Sequence, residues 1–208
     1  MIKQAQYNLS LTRNELKQLA QMKDWTGKQW ENKSKDEFII SIKTKIRRQL
    51  EDVQKTCCYC GLKLRGTSKG DIDHIAAKAR FRHPEFTFTL KNLALACGWS
   101  NTSEKKGTKE TIAKKNKVYS KCEFLLVHPY FDNPVDHYEW TDSDIEILIQ
   151  VKNNSSKASF SIKMFGLDTT EMSELRAAQV SYEKKKLEQT LSVNDEDLVK
   201  RTMEYKQP

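Results

Sequence analysis

Cysteines at positions 57, 58 and 60 open a stretch of the chain whose composition differs from what precedes it. Glycines at 61, 66 and 70 then divide the stretch into short segments, a pattern that predicts a hairpin leading into a strand over residues 71–75. The whole chain has five cysteines, and this odd number with tight spacing indicates metal ligands or reduced thiols instead of a disulfide framework. We therefore expect a small module that begins near residue 55.

Helical signals precede this module. Thr12 followed by Glu15 forms a capping box, which predicts a helix from about 12 to 24. Ser34 followed by Glu37 repeats the signal ahead of a second helix with one basic face. Its apolar positions recur at helical spacing: Phe38, Ile39, Ile42, Ile46 and Leu50.

The downstream half is predicted to mix strands and helices. Residues 89–97 and 101–106 suggest a turn and a short helix closed by Gly107. Two β-prone segments, Ile145 to Val151 and Ser159 to Met164, flank a polar hairpin loop, and helices are expected at about 170–190 and 195–205. The predicted fold class is α+β, divided into an N-terminal helical segment (1–54), the module (55–121), and a C-terminal hairpin with helices (122–208).

Charge is distributed unevenly along the chain. The net charge is +8, but residues 35–121 carry 20 Lys and Arg against 9 Asp and Glu, while residues 122–208 carry 10 against 16. Clustered positive charge favours an anionic partner such as nucleic acid, although a solvated lysine-rich surface has the same composition. The residues expected to contact phosphates are Lys78, Lys105, Lys106 and Lys109.

A polar beginning and short apolar runs predict a cytoplasmic protein without a membrane partner.

Residues 71–101 contain the groups that phosphodiester hydrolysis requires. Asp73 offers a hard anionic oxygen for a Mg²⁺-like ion, and Asn101 offers a neutral one. His74 has an ordinary pKa of about 6.5, which suits a general base that takes a proton from the attacking water. Asp71, on the same predicted strand face as Asp73, is a rival metal ligand.

These residues resemble the HNH family, also called the ββα-metal or His-Me finger nucleases. The resemblance runs through IDHI at 72–75, KNL at 91–93, and the segment from Cys97 to Gly107. It implies an endonuclease in which His74 is the general base, Asn92 braces the metal loop, and Asp73 and Asn101 hold Mg²⁺ or Mn²⁺. DNA is the substrate that the resemblance favours, and RNA remains open.

HNH proteins often carry two CxxC pairs that bind a structural zinc ion, and this chain departs from that pattern. Cys57 and Cys60 form the first pair and Cys97 begins the second, but Ser100 stands where the fourth cysteine belongs. A neutral hydroxyl is a poor ligand beside thiolates. Candidates to complete a Zn²⁺ site are Cys58, Cys122, His83 or water; the alternative is a knuckle without metal, held by packing of Tyr59, Leu62 and Trp99.

Two further strings, HPYFD at 128–132 and GLD at 166–168, resemble the downstream part of HNH proteins from retron and Septu anti-phage systems. This implies an ABC-type ATPase partner and a retron reverse transcriptase complex. His128 with Asp132 has the residue types for a second site, although a structural corner is favoured. The competing function is a non-catalytic, zinc-knuckle-like module that binds nucleic acid.

Overall fold

The first helix begins where its capping box predicts. α1 spans Arg13–Gln21, and the Thr12 side chain and Glu15 make both hydrogen bonds of the box. Helices gain stability when such caps satisfy the free backbone N–H groups of the first turn. The computed structural model describes residues 2–22, 25–31, 36–65, 69–141 and 145–187.

The second helix buries its predicted apolar stripe. α2 spans Glu37–Val53, and the carboxylate of Asp36 caps it by accepting hydrogen bonds from the backbone N–H groups of Phe38 and Ile39. Ser34, the predicted cap, lies outside the described residues. The buried positions of α2 lie three to four residues apart, so they form one face; they are Ile39, Ile42, Ile46 and Leu50.

A short antiparallel sheet follows and is the frame of the module. β1 spans Asp71–His74 and pairs with β2, Leu93–Ala96. A bridge between Thr56 and Lys63 closes the predicted cysteine-rich hairpin ahead of β1. All four residues of β2 are buried, and β2 lies against α2. A second two-stranded sheet pairs β3, Ile112–Lys114, with β4, Glu123–Phe124.

A C-terminal hairpin exists, but it is not the predicted one. The segment predicted as the first strand, 145–151, contains the second strand of the observed hairpin, and the strand predicted at 159–164 is wrong. The short helix α3, Pro134–His137, leads into β5, Tyr138–Trp140, which pairs with β6, Ile149–Val151. The segment predicted as a strand at 159–164 instead belongs to α4, Ser156–Phe165.

Local signals at both ends explain why this segment is helical. The Ser155 side chain accepts a hydrogen bond from the Ala158 N–H, and Gly166 ends α4 with a left-handed backbone at φ 62°. The buried positions of α4 follow a helical spacing of three and four, namely Ala158, Ser161, Ile162 and Phe165. α5 spans Thr170–Leu187, close to the predicted 170–190, whereas the helix predicted at 195–205 lies outside the described residues.

The described elements form an α+β structure, as predicted. One buried core contains side chains from all three predicted segments, including Ile46 of α2, Leu95 of β2 and Phe165 of α4. A smaller buried cluster includes Ala76, which lies just after β1, together with Phe86 and Tyr119. Within the described ranges, none of the helices is both long and apolar enough to cross a membrane.

Candidate active site

The end of β1 positions Asp73 and His74 at one cleft. Asp73 pairs with Ala94 and His74 with Leu93 in the β1–β2 register. Both side chains are buried, and both line a cleft of about 460 Å³. Asp71 is exposed at the other end of β1 and lies 4.0 Å from Lys69, so the geometry favours Asp73 over this rival.

The Asp73 carboxylate already has two donors. The Tyr59 hydroxyl donates to Oδ2 at 2.5 Å, and the Lys106 ammonium lies 3.1 Å from Oδ1. Lys106 also donates to the backbone oxygen of His74 at 2.6 Å. Burial raises the pKa of Asp73 above its ordinary value, and Lys106 and Tyr59 oppose that rise because they stabilise the ionised form. The Lys106 ammonium thus lies beside the carboxylate that is predicted to bind the metal ion, so the two cations would compete for Asp73 Oδ1.

His74 is held as a neutral imidazole. Its Nε2 lies 3.0 Å from the backbone oxygen of Thr87; a carbonyl oxygen only accepts, so Nε2 carries the proton. The Trp30 ring packs edge-on against the imidazole at 4.7 Å and fixes its plane. Burial lowers the pKa of His74 to about 3, with further lowering from Lys78 and Lys106. Nδ1 is therefore the unprotonated nitrogen that can accept a proton.

Asn92 joins the backbone segments behind the cleft. Its Oδ1 accepts from the Ala76 N–H at 2.7 Å, while its Nδ2 donates to the backbone oxygens of Ala76 and Phe86 at 3.1 and 3.0 Å. The side chain is fully buried. Because Ala76 lies two residues after His74, these bonds hold the chain where it leaves β1.

A hydrogen-bonded chain behind Asn92 was not predicted from the sequence. The Tyr119 hydroxyl donates to Asn92 Oδ1 at 2.8 Å and lies 3.0 Å from His128 Nε2. His128 Nδ1 accepts from the Tyr130 N–H at 3.1 Å, so Nε2 carries the proton and donates to the hydroxyl. The HPYFD string therefore has a structural role as a corner that supports Asn92. No local pattern marks Tyr119, which contacts Asn92 across 27 residues of sequence.

Asn101 lines the same cleft as Asp73 and His74. Its backbone N–H donates to the Cys97 oxygen at 3.1 Å, which fixes the turn after β2. Residues 98–108 form successive turns and bends, so the predicted short helix at 101–106 is not observed. Asn101 nevertheless lines the cleft, because its backbone is bonded to Cys97, and Cys97 directly follows β2.

Three buried cysteines form a separate candidate metal centre. The sulfur atoms of Cys57, Cys60 and Cys97 all lie within 4.8 Å of one another, and Cys60 Sγ is 3.7 Å from Cys97 Sγ. Ser100 Oγ lies 3.6 and 3.5 Å from the sulfurs of Cys57 and Cys97. A tetrahedral zinc site with Zn–S bonds of about 2.3 Å has S–S edges of about 3.8 Å. The cysteines therefore fit zinc, with Ser100 in the fourth direction.

The other candidates for a fourth zinc ligand have different environments. Cys122 lies in the smaller buried cluster, where its sulfur accepts from the Asn116 N–H. His83 Nε2 lies 2.8 Å from a Glu110 carboxylate oxygen. Cys58 is half-buried beside the knuckle. Burial raises the pKa of the Cys57 thiol, but hydrogen bonds from neighbouring thiols outweigh this and bring that pKa well below its ordinary value, which favours a thiolate.

The four predicted phosphate-contacting lysines have different environments. Lys78 lines the cleft, and Lys109 is exposed with its ammonium on the Glu104 backbone oxygen. Lys105 packs 4.2 Å from the centre of the Trp99 ring and donates to the Phe165 oxygen at 3.1 Å. Lys106 is fully buried in its pair with Asp73. Lys109 is thus exposed, and the half-buried Lys78 faces the cleft, so these two are the best placed of the four to reach a phosphate.

A second basic groove adjoins the cleft along α2. The cleft and this groove share Trp30 and Ile72 in their walls. Basic side chains of α2 that line the groove are Lys43, Arg47 and Arg48. Glu51 and Asp71 also line the groove, and Arg47 pairs with Glu51 at 2.6 Å. The cleft and the groove together form a surface of mixed charge with an excess of basic side chains.

Comparison with known proteins agrees with one part of the sequence interpretation. No protein-family model matches the chain. The chain is 30% identical over 137 residues to the Septu protein PtuB of Bacillus mycoides (strain KBAB4), a match that covers 58% of this chain and 45% of that protein. The chain thus matches less than half of the length of this relative. This similarity supports the predicted relationship to Septu proteins.

Proposed function

We propose that this protein is a metal-dependent HNH endonuclease that hydrolyses phosphodiester bonds in the cleft lined by Asp73, His74 and Asn101. The observation that carries the proposal is the state of His74. Its proton is on Nε2, bonded to the Thr87 oxygen, which leaves Nδ1 as an acceptor within a basic cleft. A neutral, oriented imidazole can accept a proton from water, and the negative charge of a phosphate bound in the cleft would raise the lowered pKa of His74 towards the range that suits a general base.

Each remaining residue has a defined role in this proposal. His74 takes a proton from the attacking water, Trp30 keeps the imidazole in its plane, and Asn92 holds the chain that follows β1. Asp73 and Asn101 supply hard oxygen atoms that suit Mg²⁺ or Mn²⁺. When bound, the ion neutralises phosphate charge and stabilises the leaving oxygen.

The path of the nucleic acid follows the basic surface. Lys78 at the cleft and the exposed Arg48 in the α2 groove are suited to contact the phosphate backbone. Lys43 and Arg47 add positive charge beside them while bonded to the Trp30 oxygen and to Glu51. The resemblance to HNH nucleases favours DNA as the substrate, and RNA is the alternative. The zinc knuckle formed by Cys57, Cys60 and Cys97 would stabilise the turn that carries Asn101, because Cys97 and Ser100 belong to that turn.

The similarity to a Septu protein supports a role in anti-phage defence. The sequence resemblance adds an ABC-type ATPase partner and a retron reverse transcriptase as assembly components. We assign the binding of such a protein partner to the C-terminal segment, 122–208, whose sequence has more acidic than basic residues, since the basic module is assigned to nucleic acid.

The experiment compares the full chain with His74→Ala on plasmid DNA and on total RNA, each with Mg²⁺, Mn²⁺ or EDTA, with and without a co-purified partner. We expect cutting that needs the metal and that His74→Ala loses. The absence of cutting by folded protein in every condition would instead favour the non-catalytic, zinc-knuckle-like binding module. The geometry of the cysteine cluster is the observation that supports this second candidate function.

A further inference from the structure

Phe81 lies at the edge of the cleft with its ring in solvent. Its exposed fraction is 72%, the largest among the large hydrophobic residues that the structure describes as exposed. Single exposed apolar side chains are common on protein surfaces, so exposure alone has no functional meaning. The position of Phe81 is what distinguishes it, because its residue lines the same cleft as His74.

The segment that carries Phe81 is held in a fixed turn. The Arg82 N–H donates to the Ala79 oxygen at 2.7 Å, and the His83 N–H donates to the Ala77 oxygen at 3.0 Å. The Arg82 side chain is anchored as well, since its Nε donates to the Thr108 oxygen at 2.8 Å. The ring of Phe81 is therefore presented to solvent by an ordered backbone.

One cationic side chain contacts this ring, and two others line the same cleft. The guanidinium carbon of Arg82 lies 5.4 Å from the centre of the Phe81 ring, and Lys78 and Arg80 line the cleft beside it. An aromatic face next to several cations matches a ligand that combines a flat ring with negative charge. A nucleotide has both, through its base and its phosphate. A purely apolar partner would bury these cations at a cost.

We propose that Phe81 stacks on an unpaired base next to the phosphate that is cut at His74, so that the enzyme prefers single-stranded or locally unpaired nucleic acid. This inference rests on the proposed nuclease function. In a duplex both faces of each base are covered by neighbouring bases, so a ring at the cleft edge can stack only where a strand is single, ends or opens. Phe81 would then be a positioning and specificity residue.

The test measures binding with the full chain carrying His74→Ala, so that cutting does not interfere. The probes are a labelled single-stranded oligonucleotide, as DNA and as RNA, and a duplex of the same sequence. In this background we expect Phe81→Ala to weaken single-strand binding by at least about fivefold and duplex binding much less. Phe81→Trp should retain single-strand binding, because an aromatic face is preserved.

A matched control is Tyr182→Ala. Tyr182 is an exposed aromatic residue of α5 whose ring contacts Lys63, and its removal should leave binding unchanged. If Phe81→Ala binds the single strand as tightly as the control does, or weakens both probes equally, the stacking inference is overturned. If the protein with Phe81 intact binds neither probe at low salt and the wild-type chain cuts nothing, the proposed function fails as well.

Discussion

Replacing Lys106 by methionine tests the buried pair at the centre of the site. The side chains of Lys106 and Asp73 are 1% and 7% exposed, and their charged atoms lie 3.1 Å apart. Methionine keeps the length and apolar volume of the lysine stem, so the main change is the loss of the ammonium. Removing one partner of a buried ion pair costs about 3–5 kcal/mol, because the other charge stays buried without compensation.

For a chain of this size, that loss corresponds to a fall in Tm of roughly 6–20 °C. Thermal unfolding at pH 8 with EDTA measures it, since Asp73 is then less able to escape the penalty by taking a proton. Added Mn²⁺ should raise the Tm of Lys106→Met more than that of the wild type, because the ammonium no longer competes for the Asp73 oxygen. The double variant with Asp73→Asn removes both charges and should lose the response to Mn²⁺.

An equal Tm for Lys106→Met and wild type in EDTA would refute the buried pair. Equal shifts by Mn²⁺ in the single and double variants would refute Asp73 as the metal ligand.

Three further predictions concern the support of the site. Asn92→Ala should lower the free energy of unfolding by at least about 3 kcal/mol in urea titrations, because it leaves several buried groups of Ala76, Phe86 and Tyr119 unsatisfied. Ser100→Cys should raise zinc affinity in chelator competition, since it supplies a fourth thiolate. His128→Gln should make the free energy of unfolding fall less steeply as the pH is lowered. In the folded chain, burial and, to a smaller extent, the charges of Lys157 and Lys91 hold the pKa of His128 well below its ordinary value. The unfolded chain thus takes up a proton below about pH 6.5 that the folded chain excludes, so stability is lost as the pH falls, by up to about 1.4 kcal/mol per pH unit.

Each of these predictions has a control. Asn116→Ala removes an exposed bond to the Val118 N–H and should cost only tenths of a kcal/mol; an equal loss in Asn92→Ala would contradict the bracing role. Unchanged zinc affinity in Ser100→Cys would mean that position 100 does not face the metal. An identical pH slope for wild type and His128→Gln would show that His128 does not titrate on unfolding.

Short-range signals explain which helices were predictable. The box of Thr12 and Glu15 and the stripe of α2 lie within a few residues of one another, so caps and periodicity define α1 and α2. In α4, alternate apolar residues at 160, 162 and 164 also fit a strand, and this caused the wrong prediction. The Ser155 cap and Gly166 were the available signals for a helix.

The candidate site was predictable only in part, for a related reason. Asp73 and His74 are neighbours, and hydrolysis explains their residue types. Their partners come from distant positions: Tyr59 precedes Asp73 by 14 residues and Lys106 follows it by 33. Lys106 belongs to a lysine-rich run, and its sequence gives no sign that it alone among the four predicted phosphate-contacting lysines is fully buried. Only the packing of the turns at 98–108 against β1 reveals this pairing.

Chemical rescue of His74→Gly tests the central claim most directly. The substitution leaves a space shaped by Trp30 and the Thr87 oxygen, which an added imidazole can enter. The single-turnover cutting rate is measured with saturating metal and rising imidazole. The control is Asn92→Gly, which keeps the base His74 and so offers imidazole nothing to replace. The proposal predicts that His74→Gly is inactive alone and regains cutting with imidazole, while Asn92→Gly does not. Cutting by folded His74→Gly at the wild-type rate without imidazole would contradict His74 as the general base.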